Sequence, residues 1–121
     1  REIQQVFLNI LSNARYALNA RDADGFPEKL LGVRAEETVG ENGPGVRLVF
    51  RDQGIGMSPA VLGRVCEPFF STKPEGEGTG LGLSISYGIV KDHGGSLSFE
   101  SREGECTAVT VEFPGGEVGK P

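Results

Sequence analysis

The chain has 121 residues, of which 37% are hydrophobic and 24% are charged, and its formal net charge at pH 7 is −5. This length and composition fit one globular domain with its own core. The acidic balance argues against nucleic acid as the main ligand, because phosphate backbones are bound through clustered Lys and Arg. A single nucleotide needs only a few local cations and is compatible with this charge.

No stretch of the sequence approaches the roughly 18 apolar residues of a membrane span, and the N-terminus lacks a signal-peptide pattern. Cys66 and Cys106 are far apart, without the Cys-x-x-Cys spacing of zinc or redox sites. We therefore expect two reduced thiols in a cytoplasmic domain, whose parent protein could still be anchored in a membrane.

An amphipathic helix is predicted over residues 2–19. Apolar residues recur there at helical spacing, namely Ile3, Val6, Phe7, Ile10, Leu11, Ala14 and Leu18. The opposite stripe faces solvent or a ligand, and it holds Gln5, Asn9, Asn13 and Tyr16.

The next segments predict two strands. Residues 22–27 are typical of a loop and residues 30–38 of a strand, and residues 41–45 carry a turn signal. A second strand that runs directly into Asp52 is predicted by the alternation of Val46, Leu48 and Phe50 with Arg47, Val49 and Arg51.

A short helix and a long loop follow. Ser58 and Pro59 fit the N-cap and the first helical position, and the helix should reach about Val65. Residues 66–80 lack periodicity and are rich in glycine, which indicates a loop or a mobile lid.

The last third of the chain predicts a helix over residues 81–93, with Gly94 as its C-cap. Its inward-facing residues should be Leu81, Ile85, Ile89 and Val90. Strands over 96–101 and 107–113 should form a hairpin across 102–105. This mixture of elements favours an α/β sandwich in which helices cover one face of a sheet.

The segment Asp52-Gln-Gly54-Ile-Gly56 suggests a site for adenine. A carboxylate accepts hydrogen bonds, the exocyclic amine of adenine donates them, and glycine lets the backbone approach a flat base closely. The alternative is a tight turn capped by aspartate, and the segment by itself leaves it open.

Asn9 and Asn13 lie four residues apart, so their side chains share one face of the helix. Amide oxygens are suitable ligands for Mg²⁺, which takes its remaining ligands from water and triphosphate oxygens. The alternative, two solvated asparagines, is less favoured because asparagine is a mediocre helix former.

The predicted lid offers groups for phosphate. Hydroxyls and a cation come from Ser71, Thr72 and Lys73, after an apolar pair, Phe69 and Phe70. Glycines then lead into a helix whose N-terminus favours an anion, and they are Gly78, Gly80 and Gly82. These glycines do not form a Rossmann fingerprint, which needs a strand immediately before it. They do not form a Walker motif either, because no Gly-Lys-Ser/Thr ends the loop. Thr107 could place a further hydroxyl near the base.

In this order, the four segments resemble the ATP-binding catalytic domain of sensor histidine kinases, in the superfamily shared with gyrase, mismatch-repair ATPases and heat-shock chaperones. Residues 5–14 resemble its asparagine box, 52–57 its first glycine box, 67–73 its phenylalanine box and 78–83 its second glycine box. The likeness spans nearly the whole chain.

The resemblance implies a Bergerat-type two-layer sandwich with a mixed sheet, a mobile lid and bound ATP·Mg²⁺. It implies that Asn13 binds Mg²⁺, that Asn9 supports the metal, and that Asp52 recognises the adenine amine. The catalytic set would be Asn9, Asn13, Arg64 and Lys73. The nucleotide-binding set would be Asn13, Asp52, Gly54, Gly56, Phe70, Ser71, Thr72, Lys73, Gly78, Thr79, Gly80, Leu81, Gly82, Leu83 and Thr107.

The resemblance also implies a function. Hydrolytic relatives carry a glutamate where this chain has Asn9, and an amide cannot act as a general base at neutral pH. We therefore expect a protein-histidine kinase domain with little turnover alone, which donates the γ-phosphoryl group to a histidine on its own dimerisation domain. A response regulator would act downstream, the isolated domain would be monomeric and the parent a homodimer.

Residues 1–121 would then be a single domain, truncated so that the phosphoacceptor helices and the first strand are absent. Two alternatives stay open. One is an anti-sigma-type serine kinase that shares the pocket, and the other is a nucleotide-sensing module without catalysis.

Overall fold

The structure, a computed structural model, describes residues 2–21, 31–40, 43–67 and 82–115. In chain order the elements are α1 (Glu2–Arg21), β1 (Leu31–Gly40), β2 (Gly43–Asp52), α2 (Pro59–Leu62), α3 (Gly82–Asp92), β3 (Ser96–Arg102) and β4 (Cys106–Phe113). Each predicted helix and strand is therefore present, and the differences concern where elements end and how they face each other.

The short helix α2 ends at Leu62, so the prediction that it extends to Val65 is wrong. Its start is as predicted, because the Ser58 hydroxyl accepts a hydrogen bond from the Val61 amide at 3.3 Å. After Leu62 the amides of Arg64 and Glu67 bond three residues back, to Val61 and Arg64, at 3.0 and 2.9 Å. Such bonds form successive turns rather than a continuing α-helix.

The four strands form one sheet in the order β1-β2-β4-β3, and each neighbouring pair is antiparallel. The prediction of a mixed sheet is therefore wrong for the strands that the structure describes. The reason is topological. The chain that leaves β2 through α2 and α3 returns as β3, parallel to β2, but β4 lies between them and pairs antiparallel with both.

One face of the sheet, here the inner face, packs against the helices. Its side chains form rows across β2, β4 and β3 because alternate residues share a face. The rows are Leu48–Val111–Leu97, Phe50–Val109–Phe99 and Asp52–Thr107–Ser101. The first two rows meet Val6, Ile10 and Val90 of the helices in the hydrophobic core. The third row, named the polar row, continues the same face with hydroxyl and carboxylate groups.

The opposite, outer face is charged. Arg47 donates hydrogen bonds to Glu36 at 2.9 Å and to Glu112 at 3.3 Å, across three adjacent strands. The two carboxylates raise the pKa of the Arg47 guanidinium. The outer face therefore carries a ladder of ion pairs in place of a core.

Helix α3 packs against α1 with a face that was predicted only in part. Ile85 is 41% exposed, so its assignment to the inward face is wrong. Val90 is fully buried and Ile89 packs against the core, as predicted, and Ser86, one turn before Val90, is fully buried as well. The Ser86 hydroxyl can be buried because it donates to the Gly82 carbonyl at 2.9 Å and accepts from the Asn9 amide at 3.0 Å. Among the described residues no helix is long and apolar enough to cross a membrane.

Candidate nucleotide-binding site

Asp52 ends strand β2 as a buried carboxylate, with only 5% of the residue exposed. Its Oδ1 atom accepts a hydrogen bond from the Gly54 amide at 2.9 Å. Its Oδ2 atom has no hydrogen-bond partner within the part of the chain that the structure describes. Burial raises the pKa of Asp52, and the Gly54 hydrogen bond opposes this shift. The site thus contains a buried acceptor suited to a donor on a ligand.

Gly54 and Gly56 are required by contacts within the protein. A Cβ atom at Gly54 would lie 2.6 Å from the Ala17 carbonyl carbon of α1. Gly56 has a φ of +68°, and a Cβ there would clash with the Arg102 carbonyl oxygen. The close approach that the structure contains is therefore to α1 and to the β3–β4 turn. Contact of these glycines with a nucleotide stays a prediction.

The loop after Asp52 is attached on both sides. The Ile55 amide donates to the Ala17 carbonyl at 3.3 Å, and the Gly104 amide donates to the Ile55 carbonyl at 2.6 Å. Met57 donates through its amide to the Ser101 hydroxyl at 2.8 Å. These bonds fix the loop between α1 and the β3–β4 turn, and so they fix the position of Asp52.

Thr107 is buried beside Asp52 in the polar row, with 8% of the residue exposed. Its hydroxyl lies 2.9 Å from that of Ser101, its partner on β3. The sequence predicted a hydroxyl near the base at this position, and the register brings Thr107 next to Asp52. Cross-strand neighbours of this kind have Cβ atoms only about 5 Å apart, so both can contact one small ligand.

Asn9 and Asn13 lie on the same side of α1 but have different surroundings. The Asn9 amide nitrogen donates to the Gly82 carbonyl and to the Ser86 hydroxyl, both at 3.0 Å. A carbonyl oxygen can only accept, so the nitrogen of the Asn9 amide must point to α3 and its oxygen must point away. The Asn13 amide is half-buried and makes no hydrogen bond with any residue that the structure describes.

Gly82 and Leu83 form the start of α3, and Gly82 is held against α1 by Asn9. Arg64 follows α2, is exposed, and pairs with Glu67 at 3.1 Å. The remaining predicted site residues lie outside the described residues: Phe70, Ser71, Thr72, Lys73, Gly78, Thr79, Gly80 and Leu81. Contacts of the predicted lid with phosphate therefore stay predictions.

Two residues with roles in this arrangement were missed by the sequence analysis. Ser86 links α3 to Asn9, and Ser101 links Thr107 to the loop after Asp52. Ser101 could have been found, because the alternation Leu97, Phe99, Ser101 places it on the inner face of β3. No local pattern distinguishes Ser86 from the exposed polar residues of α3.

Known proteins are similar to this chain in sequence and in fold. Residues 1–117 match the family of histidine kinase-, DNA gyrase B- and HSP90-like ATPases. The two-component sensor PprA of Pseudomonas aeruginosa is 41% identical over 113 residues, which are 93% of this chain and 12% of that protein.

Solved structures of histidine kinases have a similar fold. The mycobacterial sensor histidine kinase MprB is 30% identical, with a TM-score of 0.74 over 95% of this chain and 71% of that one. Full-length ShkA in complex with AMPPNP is 26% identical, with a TM-score of 0.69 over 93% of this chain and 21% of that one.

The chain therefore belongs to the histidine kinase-, DNA gyrase B- and HSP90-like ATPase family. Within this family it is a catalytic ATPase domain of the two-component sensor histidine kinase type. It spans only about an eighth of the length of PprA, so it corresponds to one part of that larger protein.

Proposed function

We propose that this domain binds ATP·Mg²⁺ and donates the γ-phosphoryl group to a histidine on the dimerisation domain of its own protein. The observation that carries the proposal is the polar row. Asp52 is buried with one carboxylate oxygen unpartnered in the described structure, beside the hydroxyl of Thr107. A buried acceptor of this kind is costly unless a ligand supplies a donor, and the adenine amine is such a donor.

The two asparagines fit a magnesium ion. The Asn13 side chain makes no hydrogen bond with the described residues. The side-chain oxygen of Asn9 points away from α3, because the side-chain nitrogen donates its hydrogen bonds there. Both can therefore offer amide oxygens, which are ligands that Mg²⁺ accepts. When bound, the ion would neutralise charge on the phosphates during transfer.

The chain's own contribution to transfer is positioning. The Asn9 side chain cannot take a proton from water, so this helix face lacks the base that hydrolysis requires. A neutral imidazole nitrogen of the acceptor would form the bond to the γ-phosphorus. The bond to the bridging oxygen would break with its electrons leaving on ADP, and the imidazole N–H proton would be released. Arg64, and Lys73 in the predicted lid, would offset phosphate charge.

Its partners would be the dimerisation domain that carries the acceptor histidine and a downstream response regulator. The ShkA complex supports nucleotide binding by this fold, because a relative of similar structure holds AMPPNP. A cytoplasmic location fits ATP as the substrate and the two free thiols, Cys66 and Cys106.

Calorimetric titration with AMPPNP, with and without Mg²⁺, tests the binding step. We expect Mg²⁺-assisted binding that is stronger than binding of the guanine analogue GMPPNP. The matched variant Asn13→Leu should lose the effect of Mg²⁺ and keep the preference for adenine. Equal affinity for the two bases would refute recognition by Asp52.

Phosphotransfer tests the second step. The domain is incubated with γ-labelled ATP, Mg²⁺ and the histidine-bearing dimerisation domain of its full-length protein. Alkali-stable, acid-labile label on that domain supports the proposal. Acid-stable label on a serine of a partner protein would favour a serine kinase, and tight binding without transfer to any acceptor would favour a nucleotide sensor.

A further inference from the structure

The hydroxyl group of Ser101 is the centre of a small hydrogen-bond network at one end of the polar row. It donates to the Cys106 carbonyl at 2.8 Å, receives the Met57 amide at 2.8 Å, and lies 2.9 Å from the Thr107 hydroxyl. A serine hydroxyl has one hydrogen and two lone pairs. Its three neighbours therefore use its full hydrogen-bonding capacity.

The direction of the Ser101–Thr107 bond follows from this count. A backbone carbonyl only accepts, so the single Ser101 hydrogen is committed to Cys106. The Met57 amide occupies one lone pair of Ser101. Thr107 must therefore be the donor in the bond between the two hydroxyls, and its hydrogen points to the Ser101 oxygen. The Thr107 oxygen is left with lone pairs alone for any ligand.

Asp52 lies next to Thr107 in the polar row, and its free oxygen also accepts only. The two side chains therefore present acceptors without a donor between them. A ligand edge with an amine is matched to this surface. An edge with a carbonyl oxygen at the same position would meet two further acceptors, and the unpaired lone pairs would disfavour it.

We propose that Ser101 is a positioning residue for base selection. It holds the Thr107 hydroxyl as an acceptor, so that the site prefers a purine with an exocyclic amine over one with a carbonyl oxygen. The inference rests on the proposed function, since it assumes that the polar row meets the base. Ser101 itself touches no nucleotide in this scheme and acts through Thr107.

The network is anchored so that the hydroxyls cannot readily reverse. Met57 belongs to the loop after Asp52, and Cys106 opens β4, so Ser101 is bonded to backbone from two different segments. Without the Ser101 oxygen, the Thr107 hydroxyl could rotate and donate to a carbonyl oxygen on a base. Loss of Ser101 should therefore relax selectivity as well as weaken binding.

The test compares ATP with ITP, which carries a carbonyl oxygen in place of the amine, by calorimetry on the whole domain. In Ser101→Ala the ratio of ATP affinity to ITP affinity should fall on the order of threefold to tenfold, the size of one neutral hydrogen bond. The matched control is Ser98→Ala, on the exposed side of the same strand, which should leave the ratio unchanged.

A second pair of variants separates chemistry from folding. Ser101→Thr keeps the hydroxyl and should keep the wild-type ratio of ATP affinity to ITP affinity. Ser101→Val has the shape of that threonine without the hydroxyl and should lower the ratio. In a Thr107→Val background, Ser101→Ala should no longer change the ratio, because the group that it orients is gone.

The outcomes are distinct. An unchanged ratio of ATP affinity to ITP affinity in Ser101→Ala, with or without weaker binding of both, would overturn the role of Ser101. The proposal that the wild-type domain binds ATP would still stand. A wild-type domain that binds ATP and ITP equally would instead overturn base recognition by Asp52, and the inference would fall with it.

Discussion

The two ends of the inner sheet face are buried to a similar degree but are built differently. At one end the row Leu48–Val111–Leu97 packs against the helices, and Val111 is fully buried. At the other end Asp52 and Thr107 are 5% and 8% exposed, yet they are polar. The apolar end gains free energy from burial. At the polar end, hydrogen bonds offset the cost of removing polar groups from water, and one carboxylate oxygen has no partner in the described structure.

The same division appears along α1. Asn9 and Asn13 lie one helical turn apart. The side-chain nitrogen of Asn9 is hydrogen-bonded to α3, whereas the Asn13 side chain makes no hydrogen bond in the described structure. Some polar side chains therefore stabilise the fold itself, and others have groups that remain available to a ligand. Substitutions at the two kinds of position should therefore affect different measurements.

The largest effect on stability is expected at the apolar end. Leu97→Ala should lower the free energy of unfolding by about 2–5 kcal/mol, because it leaves a cavity in the core. Urea denaturation measures the loss. The folded fraction should keep the wild-type preference for ATP over ITP, and a changed preference would show that the two ends are not independent.

The polar end should respond in the opposite way. Asp52→Asn should weaken binding of ATP by on the order of 1–3 kcal/mol, because a charged acceptor becomes a neutral amide. The same change should stabilise the ligand-free domain, since it removes a buried charge. Calorimetry measures the first effect and thermal unfolding measures the second. Unchanged ATP affinity would refute the assignment of Asp52.

The stability gain of Asp52→Asn should depend on pH. Burial raises the pKa of Asp52 above its ordinary value of 3.8. As pH rises from that value to the folded-state pKa, the unfolded chain loses the proton first, so the wild-type fold is progressively destabilised. The advantage of the variant should grow across this window and then stay constant, as urea titrations at several pH values would reveal. A flat difference would contradict the burial of the charged form.

Substitutions of the two asparagines should likewise affect different measurements, stability for Asn9 and Mg²⁺-dependent binding for Asn13. Asn9→Asp places a carboxylate against the Gly82 carbonyl and removes both donated bonds, so unfolding should become easier by about 1–2 kcal/mol. Asn13→Asp should leave the melting temperature nearly unchanged and alter the Mg²⁺ dependence of AMPPNP binding. Equal melting temperatures for the two variants would mean that the α1–α3 bonds contribute little.

The smallest effect is expected on the outer face. Arg47→Met removes the ion pairs to Glu36 and Glu112, which are exposed to solvent and therefore screened. The melting temperature should fall by less than in Leu97→Ala or Asn9→Asp, and the difference from wild type should vanish at high salt. ATP affinity should not change, and a change would indicate that the outer face is coupled to the site.

Local sequence patterns predicted much of the fold. Helical spacing located α1, alternation located β2, and the Ser58-Pro59 pair located the start of α2. The candidate site was predicted in part. Asp52 and Thr107 were identified as possible base contacts, and the register makes them neighbours. The end of α2 and the orientation of Ile85 were predicted wrongly, because both depend on competing contacts rather than on spacing.

By itself, the sequence determined the order and type of the elements and placed Asp52 at the end of a strand, since these follow from periodicity and local steric preference. Only the tertiary structure decided that β4 lies between β2 and β3, which brings Asp52, Thr107 and Ser101 into one row. It also decided that Asn9 rather than Asn13 is bonded to α3, through partners 73 and 77 residues away in the chain. Hydrogen bonds between distant segments depend on how whole elements pack, and no local pattern encodes that choice.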